Sequence, residues 1–547
     1  MITGFLRRLP RLLPHSRRMT TTATETPTTN VTPTTSLPKE TASPGGTASV
    51  NTSFDWESIC GKTPLEEIES DISRLKKTFR SGKTLDLDYR LDQIRNLAYA
   101  IRDNENKIRD AIKADLKRPD FETMAAEFSV QMGEFNYVVK NLPKWVKDEK
   151  VKGTSMAYWN SSPKIRKRPL GSVLVITPWN YPLILSVSPV LGAIAAGNTV
   201  ALKMSEMSPN ASKVIGDIMT AALDPQLFQC FFGGVPETTE ILKHRWDKIM
   251  YTGNGKVGRI ICEAANKYLT PVELELGGKS PVFVTKHCSN LEMAARRIIW
   301  GKFVNGGQTC VAPDYVLVCP EVHDKFVAAC QKVLDKFYPN NSAESEMAHI
   351  ATPLHYERLT GLLNSTRGKV VAGGTFNSAT RFIAPTIVDG VDANDSLMQG
   401  ELFGPLLPIV KAMSTEAACN FVLEHHPTPL AEYIFSDNNS EIDYIRDRVS
   451  SGGLVINDTL IHVGCVQAPF GGVGDSGNGG YHGKHTFDLF SHSQTVLRQP
   501  GWVEMLQKKR YPPYNKSNEK FVRRMVVPSP GFPREGDVRG FWSRLFN

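Results

Sequence analysis

From Leu170 to Thr252 the sequence alternates short, uninterrupted apolar runs with longer amphipathic stretches, a pattern few folds accept. Ser172–Thr177, Thr199–Lys203, Gln229–Phe232 and Lys248–Thr252 read as strands. Pro209–Leu223 and Thr238–Trp246 read as helices between them. Strands joined by helical crossovers lie in parallel and need cover on both faces. The expected class is α/β, built on a parallel sheet. The apolar run Val187–Gly197 is too short to span a bilayer, and Pro178, Pro182 and Pro189 interrupt its surroundings, so it reads as a buried helix. Upstream, Thr63–Val146 reads as several amphipathic helices, and Lys152–Arg168 as a projecting polar hairpin.

Gly253-Asn254-Gly255-Lys256-Val257-Gly258 follows the fourth strand and opens the next helix. This Gly-x-Gly-x-x-Gly context suits a dinucleotide, because glycines let the backbone approach a pyrophosphate at a helix N-terminus. Spacing alone offers Glu273 or Glu275 as the ribose-binding acid, about 20 residues on.

A second alternating region runs from Pro281 to about Leu454. Within it, Ser289–Phe303 has helical apolar spacing, with Ser289 and Glu292 as a capping box and Asn305-Gly306-Gly307 as the stop. Tyr315–Cys319 reads as a strand. Cys310 therefore lies on a tight helix-to-strand link, where a thiol can be held facing a cleft. The preceding helix points its negative end at this link, so its dipole does not lower the thiol pKa. Activation has to come from amide donors, a bound cofactor or a base. The nine cysteines are odd in number, scattered and free of Cys-x-x-Cys, as expected of reduced thiols rather than a disulfide framework or zinc site. His482 and His485 lack acidic or cysteine partners at metal spacing and read as structural; no metal is expected.

Gly-Gln-Thr-Cys, ending at Cys310, resembles the catalytic cysteine motif of aldehyde dehydrogenases, and Val311–Leu317 resembles their class 3 branch, which includes fatty aldehyde dehydrogenases. The resemblance covers roughly Pro64 to Tyr514. Val272–Gly278 resembles the second catalytic motif and implies Glu275 in the active site. Glu401-Leu402-Phe403-Gly404-Pro405 resembles the nicotinamide-ribose motif, and Lys203 with Glu206 the adenosine-ribose pair. Asn457-Asp458 and Pro469–Gly474, through Tyr481–Lys484, match the class 3 pattern. Two positions depart from the family: Asn254-Gly255 where Ser or Thr usually follows the first glycine, and Met204 where Pro is usual. The resemblance implies a Rossmann-type NAD(P)-binding domain from 55–151 and 170–274, and a catalytic domain of 275–487. It also implies an oligomerisation arm from 152–169 and 488–505, and a homodimer. The cofactor implied is NAD, with NADP also accepted by many class 3 members; an acid at the ribose favours NAD by repelling a 2′-phosphate.

The chemistry expected is NAD(P)-dependent oxidation of apolar medium- or long-chain aldehydes. Cys310 forms a thiohemiacetal, then a thioester. Asn180, in Pro178–Pro182, and the Cys310 backbone N–H serve as oxyanion donors. Glu275 is the base for hydrolysis, its pKa raised by apolar neighbours Leu274 and Leu276, with Glu401 as competitor. Oxidation of an apocarotenoid aldehyde is the main alternative. A cofactor-independent thiol hydrolase pairing Cys310 with a histidine such as His462 is a remote one. A coenzyme A-acylating enzyme is disfavoured by the deacylation base, and a structural role by the pairing of Cys310 with Glu275.

Charge concentrates in the tails. Residues 1–50 carry about +4 and 508–547 about +7, so a total of +8 leaves about −3 for 51–507. The core thus has no basic surface excess pointing to nucleic acid. Residues 1–18 hold five arginines, no acid and Phe5, Leu6, Leu9, Leu12 and Leu13. Two readings stand: a mitochondrial transit peptide, or a disordered basic tail. Residues 20–50 are Thr/Ser/Pro-rich and expected to be disordered. Phe521–Asn547 (within a basic-aromatic tail, 515–547) interleaves arginines with aromatics, compatible with peripheral contact on an anionic membrane, a solvated tail or a strap over a neighbouring subunit. The expected location is intracellular, cytoplasmic or mitochondrial.

Overall fold

In chain order the first strands are β1 (Glu149–Lys150), β2 (Lys164–Pro169), β3 (Ser172–Ile176), β4 (Thr199–Lys203), β5 (Phe228–Phe231), β6 (Lys248–Thr252) and β7 (Val272–Glu275). The computed structural model describes residues 55–526 other than 153–157, 159 and 340–341. The expectations placed on residues 1–50, on positions 153–157 and 159 of the Lys152–Arg168 hairpin, and on the tail past Val526 lie outside the described residues.

Strands β3 to β7 form one parallel sheet in the order β5-β4-β3-β6-β7. Every residue of β3 and β4 is buried, as unbroken apolar runs require at the centre of a parallel sheet. Helices Ile184–Ala196, Pro209–Ala222, Val235–Leu242 and Gly255–Asn266 make the crossovers. The first is the apolar run; all of it but Leu185 is buried. Among the described residues no helix is long and apolar enough to cross a membrane. The third starts and ends earlier than the Thr238–Trp246 expected: Pro236 opens it, and Trp246 lies beyond it as a buried core residue donating to Ile241 O. The amphipathic helices expected upstream include Leu65–Ser81, whose Ile68, Ile72 and Leu75 pack on Leu174, Ile176 and Phe231 of the sheet.

The second sheet takes β8 (Pro281–Val284), β9 (Tyr315–Val318), β10 (Lys369–Ala372), β13 (Thr386–Asp389), β14 (Leu406–Lys411), β15 (Ala431–Phe435) and β16 (Gly453–Ile456), while β11 (Phe376–Asn377) and β12 (Phe382–Ile383) form a separate ribbon. Its order is β10-β13-β14-β9-β8-β15-β16, all parallel except β10. Helix Leu291–Phe303 crosses from β8 to β9. Its cap differs from expectation: Asn290, not Ser289, accepts from Met293 N, while the Ser289 amide donates to Asp437. The expected hairpin is part of a third, antiparallel sheet: β2 pairs with β1 on one side and, over six residues, with β17 (Ser491–Val496) on the other.

Candidate active site

Sequence order reverses between β3 and β6, and a crevice opens at such a reversal past the strands' carboxyl ends. A cleft of about 460 Å³ lies there, walled by residues at the carboxyl ends of β3, β4, β6 and β7, by helix Val235–Leu242 and by three segments from the second alternating region. Asn180, Lys203, Glu206, Gly253, Asn254, Val257, Glu275, Cys310, Glu401 and Phe403 all line it. Gly255, Lys256 and Gly258 do not. Gly258 faces inward: a Cβ there would lie 3.3 Å from Leu276 Cδ2 and 3.5 Å from Leu274 Cδ2, so the glycine serves close helix–sheet packing.

Within the turn, the Gly253 N–H is spent on Glu275 O at 3.0 Å, and Asn254 caps the helix by accepting from Val257 N at 3.0 Å. The departure from Ser or Thr thus keeps an N-cap. Gly255 and Lys256 open the helix, where amides have no intrahelical acceptor. Lys203 Nζ, itself buried, reaches Glu206 Oε2 at 3.4 Å beside the cleft. Glu273, one of the two acids offered by spacing, is not at the cleft: Lys248 at 3.1 Å and the Gly480 amide at 2.8 Å take its carboxylate.

Cys310 is placed by the sharp exit from helix Leu291–Phe303. Asn305, Gly306 and Gly307 take φ of 54°, 61° and 74° in succession, turning the chain toward β9. A Cβ at Gly307 would strike the Gly404 carbonyl, so the thiol loop lies directly against the Glu401–Pro405 segment. Gln308 staples the loop: its amide donates to Asn305 O and His349 O, both at 3.0 Å, and accepts from Ala351 N at 3.0 Å. Asn180 Nδ2 donates to Gln308 O at 3.0 Å, leaving its second N–H.

Burial, then the Glu401 and Glu275 carboxylates, push the Cys310 thiol up to about 12; backbone N–H groups of Cys310 and Val311 act in the opposite sense. The resting group is a thiol. Glu275 ends β7 and is 2% exposed, with neither carboxyl oxygen hydrogen-bonded among the described residues. Burial, then Glu273, raises its pKa well above the usual carboxylate range. Glu401 is raised to about 8 by burial and Asp314, against the Gly278 N–H, Lys279 and Lys302. Any Cβ at Gly277 would collide with its carboxylate.

The glycine-rich segment after Phe470 is pinned rather than free. Phe470 and Tyr481 exchange backbone hydrogen bonds, Leu276 N donates to Ser476 O, and Asn478 brackets Leu274 through backbone and side chain. His462 does not pair with Cys310: both its ring nitrogens are buried without hydrogen-bond partners among the described residues, and burial pushes its pKa down to about 4. It stacks on Phe470, which stacks on His482.

Sequence reasoning missed His355 and Arg358, which line the cleft from one face of helix Pro353–Ser365. His355 lies 5.3 Å from the Trp179 ring, and Arg358 donates to Glu401 O and Leu402 O. Their i, i+3 spacing was the available signal, shared by many surface pairs.

The family model described as the aldehyde dehydrogenase family matches residues 59–496. The chain is 43% identical over 450 residues to "Aldehyde dehydrogenase, dimeric NADP-preferring" of Canis lupus familiaris, covering 82% of this chain and 98% of that protein. It is 43% identical over 451 residues to "Aldehyde dehydrogenase family 3 member A2" of Pongo abelii, covering 82% and 92%. A solved structure of Staphylococcus aureus AldH in a substrate-bound state matches with a TM-score of 0.80 at 37% identity, covering 84% of this chain and 99% of that one.

Proposed function

From the premise that this chain belongs to the aldehyde dehydrogenase family, an enzyme oxidising aldehydes, we propose that it acts on apolar medium- or long-chain aldehydes with NAD(P), through a covalent intermediate on Cys310. The observation that carries this reading is the convergence of Cys310, Asn180, Glu275 and Glu401 on one cleft at the strand ends of a parallel sheet.

The cleft's residues fit a dinucleotide. Bordering the cleft between its lining residues Asn254 and Val257, the leading amides of Gly255 and Lys256 suit a pyrophosphate; within it the Lys203–Glu206 pair suits a ribose, and Glu401, held against a glycine that leaves space for it, a second ribose. When bound, the dinucleotide supplies the hydride acceptor and a cationic ring. Cys310 Sγ, once its proton has passed to solvent, attacks the carbonyl carbon, forming a C–S bond while the carbonyl π pair moves to oxygen. The free Asn180 N–H and the Cys310 amide stabilise that oxyanion. After oxidation to the thioester, Glu275 takes a proton from the attacking water, and the sulfur leaves with the C–S electron pair. A carboxylate whose pKa is raised by burial is basic enough for that step.

An apolar substrate is supported by the likeness of Val311–Leu317 to the class 3 branch. It is supported also by the His462–Phe470–His482 ring stack, whose imidazoles burial keeps neutral. The stack borders the centre, since Tyr433 donates to Val311 O and packs against His462, and Gly471 abuts Glu275. The same rings suit a conjugated polyene aldehyde, the second reading. NADH and NADPH formation by the purified protein, measured over aldehydes of increasing length and an apocarotenal, tests both. kcat/KM should rise with apolar length; a preference for short polar aldehydes would refute the substrate class.

Gly258→Asp should weaken NAD binding about tenfold, or ~1.4 kcal/mol. The new side chain pushes the helix off Leu276 and Leu274 and adds negative charge near the pyrophosphate. Calorimetry with unchanged affinity in the folded variant would refute placement of the dinucleotide at this turn.

A further inference from the structure

We infer that Arg118 and Glu127 form a buried clamp that positions Asn180 opposite Cys310; the inference rests on the oxyanion role proposed above for Asn180. Neither residue lines the cleft, so both are positioning residues rather than catalytic ones.

Arg118 follows helix Glu105–Leu116, and Glu127 lies in the π-helical segment Met124–Phe128. Both side chains are fully buried, joined through Arg118 Nη2 and Glu127 Oε1 at 2.6 Å. Burying an ion pair stabilises little compared with an apolar pair of the same volume, so geometry rather than stability is the gain to look for. The pair's outward hydrogen bonds and ring contact fall on one five-residue segment, 180–184. Arg118 Nη1 points at Asn180 O at 3.4 Å, and its guanidinium lies over the Tyr181 ring at 5.0 Å. Glu127 Oε2 accepts from Leu183 N at 2.8 Å and Ile184 N at 3.1 Å, capping the apolar helix that begins there.

The held segment is tied to the thiol loop at three points. Asn305 Nδ2 donates to Asn180 O at 3.0 Å, Asn180 Nδ2 to Gln308 O at 3.0 Å, and the Tyr181 and Thr309 hydroxyls bond at 2.7 Å. Glu122 accepts the Asn305 amide at 2.9 Å from the same side. The spacing between the Asn180 amide and Cys310 is thus set by the clamp, on a segment that a strand end flanked by prolines does not itself fix.

The test uses 4-nitrophenyl acetate, which acylates Cys310 through the same tetrahedral oxyanion and needs no dinucleotide, releasing nitrophenolate. Arg118→Met combined with Glu127→Gln removes both charges and keeps a carbonyl oxygen for the Leu183 and Ile184 amides. The acylation burst should slow about tenfold or more, while alkylation of Cys310 by iodoacetamide, which forms no oxyanion, stays within about twofold. In an Asn180→Ala background the paired change should slow acylation by less than about twofold, since the group it positions is gone. An equal slowing in that background, or equal slowing of alkylation, overturns the clamp. If melting shows the pair misfolded, Arg118→Lys keeps the charge but loses the fork and is judged by the same cycle. Should Asn180→Ala alone leave acylation unchanged, the oxyanion reading itself fails. Should it slow acylation while the cycle is additive, only the clamp fails.

Discussion

Cys310→Ser is expected to reduce aldehyde oxidation by about 10⁴-fold or more. Serine is close in size, so the loop held by Gln308 and Asn305 should persist and melting should be unaltered. What changes is the nucleophile: a hydroxyl is far harder to ionise than a thiol, and this site already pushes the thiol up to about 12. The surrounding carboxylates that raise the thiol would oppose an alkoxide at least as strongly. Cys262→Ser is the control, a partly exposed thiol on the helix Gly255–Asn266 and outside the cleft lining, and should retain full turnover. Steady-state NADH formation measures both. Substantial turnover in Cys310→Ser would rule out covalent catalysis at this position.

Glu275→Gln should separate two halves of the reaction. The first NADH equivalent should form at near the wild-type rate, because attack and oxidation precede hydrolysis, and steady-state turnover should then fall about 10²–10⁴-fold. Rapid-mixing fluorescence reads the burst, and mass spectrometry of the quenched protein reads the thioester. Loss of the burst would place Glu275 earlier, as the group that takes the Cys310 proton. The pH dependence follows from the raised pKa. Hydrolysis needs the carboxylate, so deacylation in the wild type should increase as pH rises toward that value, and the variant should lose this limb. Stability runs the other way. The folded pKa exceeds the unfolded one, so the folded state holds a proton that the unfolded state gives up above pH ~4.3, and stability falls as pH rises through the folded pKa. A neutral glutamine escapes that penalty, so at pH 8 the variant should melt no lower than the wild type.

Local chemistry made much of this protein legible. The strands β3, β4 and β6 were readable because a central parallel strand carries consecutive apolar residues, with polar ones only at its ends, a property of five neighbouring residues. The position of Cys310 was readable because a helix stop at Asn305-Gly306-Gly307 and a following strand leave little room between them. Choices between equivalent local signals were not. Ser289 and Asn290 both suit an N-cap, and Asp437, from a distant turn, takes the Ser289 amide. Glu273 and Glu275 share one face of β7; Lys248 reaches the carboxylate of the first, while among the described residues no group hydrogen-bonds the carboxylate of the second, and that difference separates a structural carboxylate from a candidate base. Arg118 and Glu127 lie in the stretch whose pattern gives only amphipathic helices, and both are fully buried, with Arg118 reaching Asn180 O. Propensity and periodicity act over a few residues, so the sequence by itself determined the elements and the loop that carries Cys310. Burial and pairing depend on groups up to hundreds of residues away, so only the tertiary structure decided which carboxylates are buried without partners and which groups pack around Asn180.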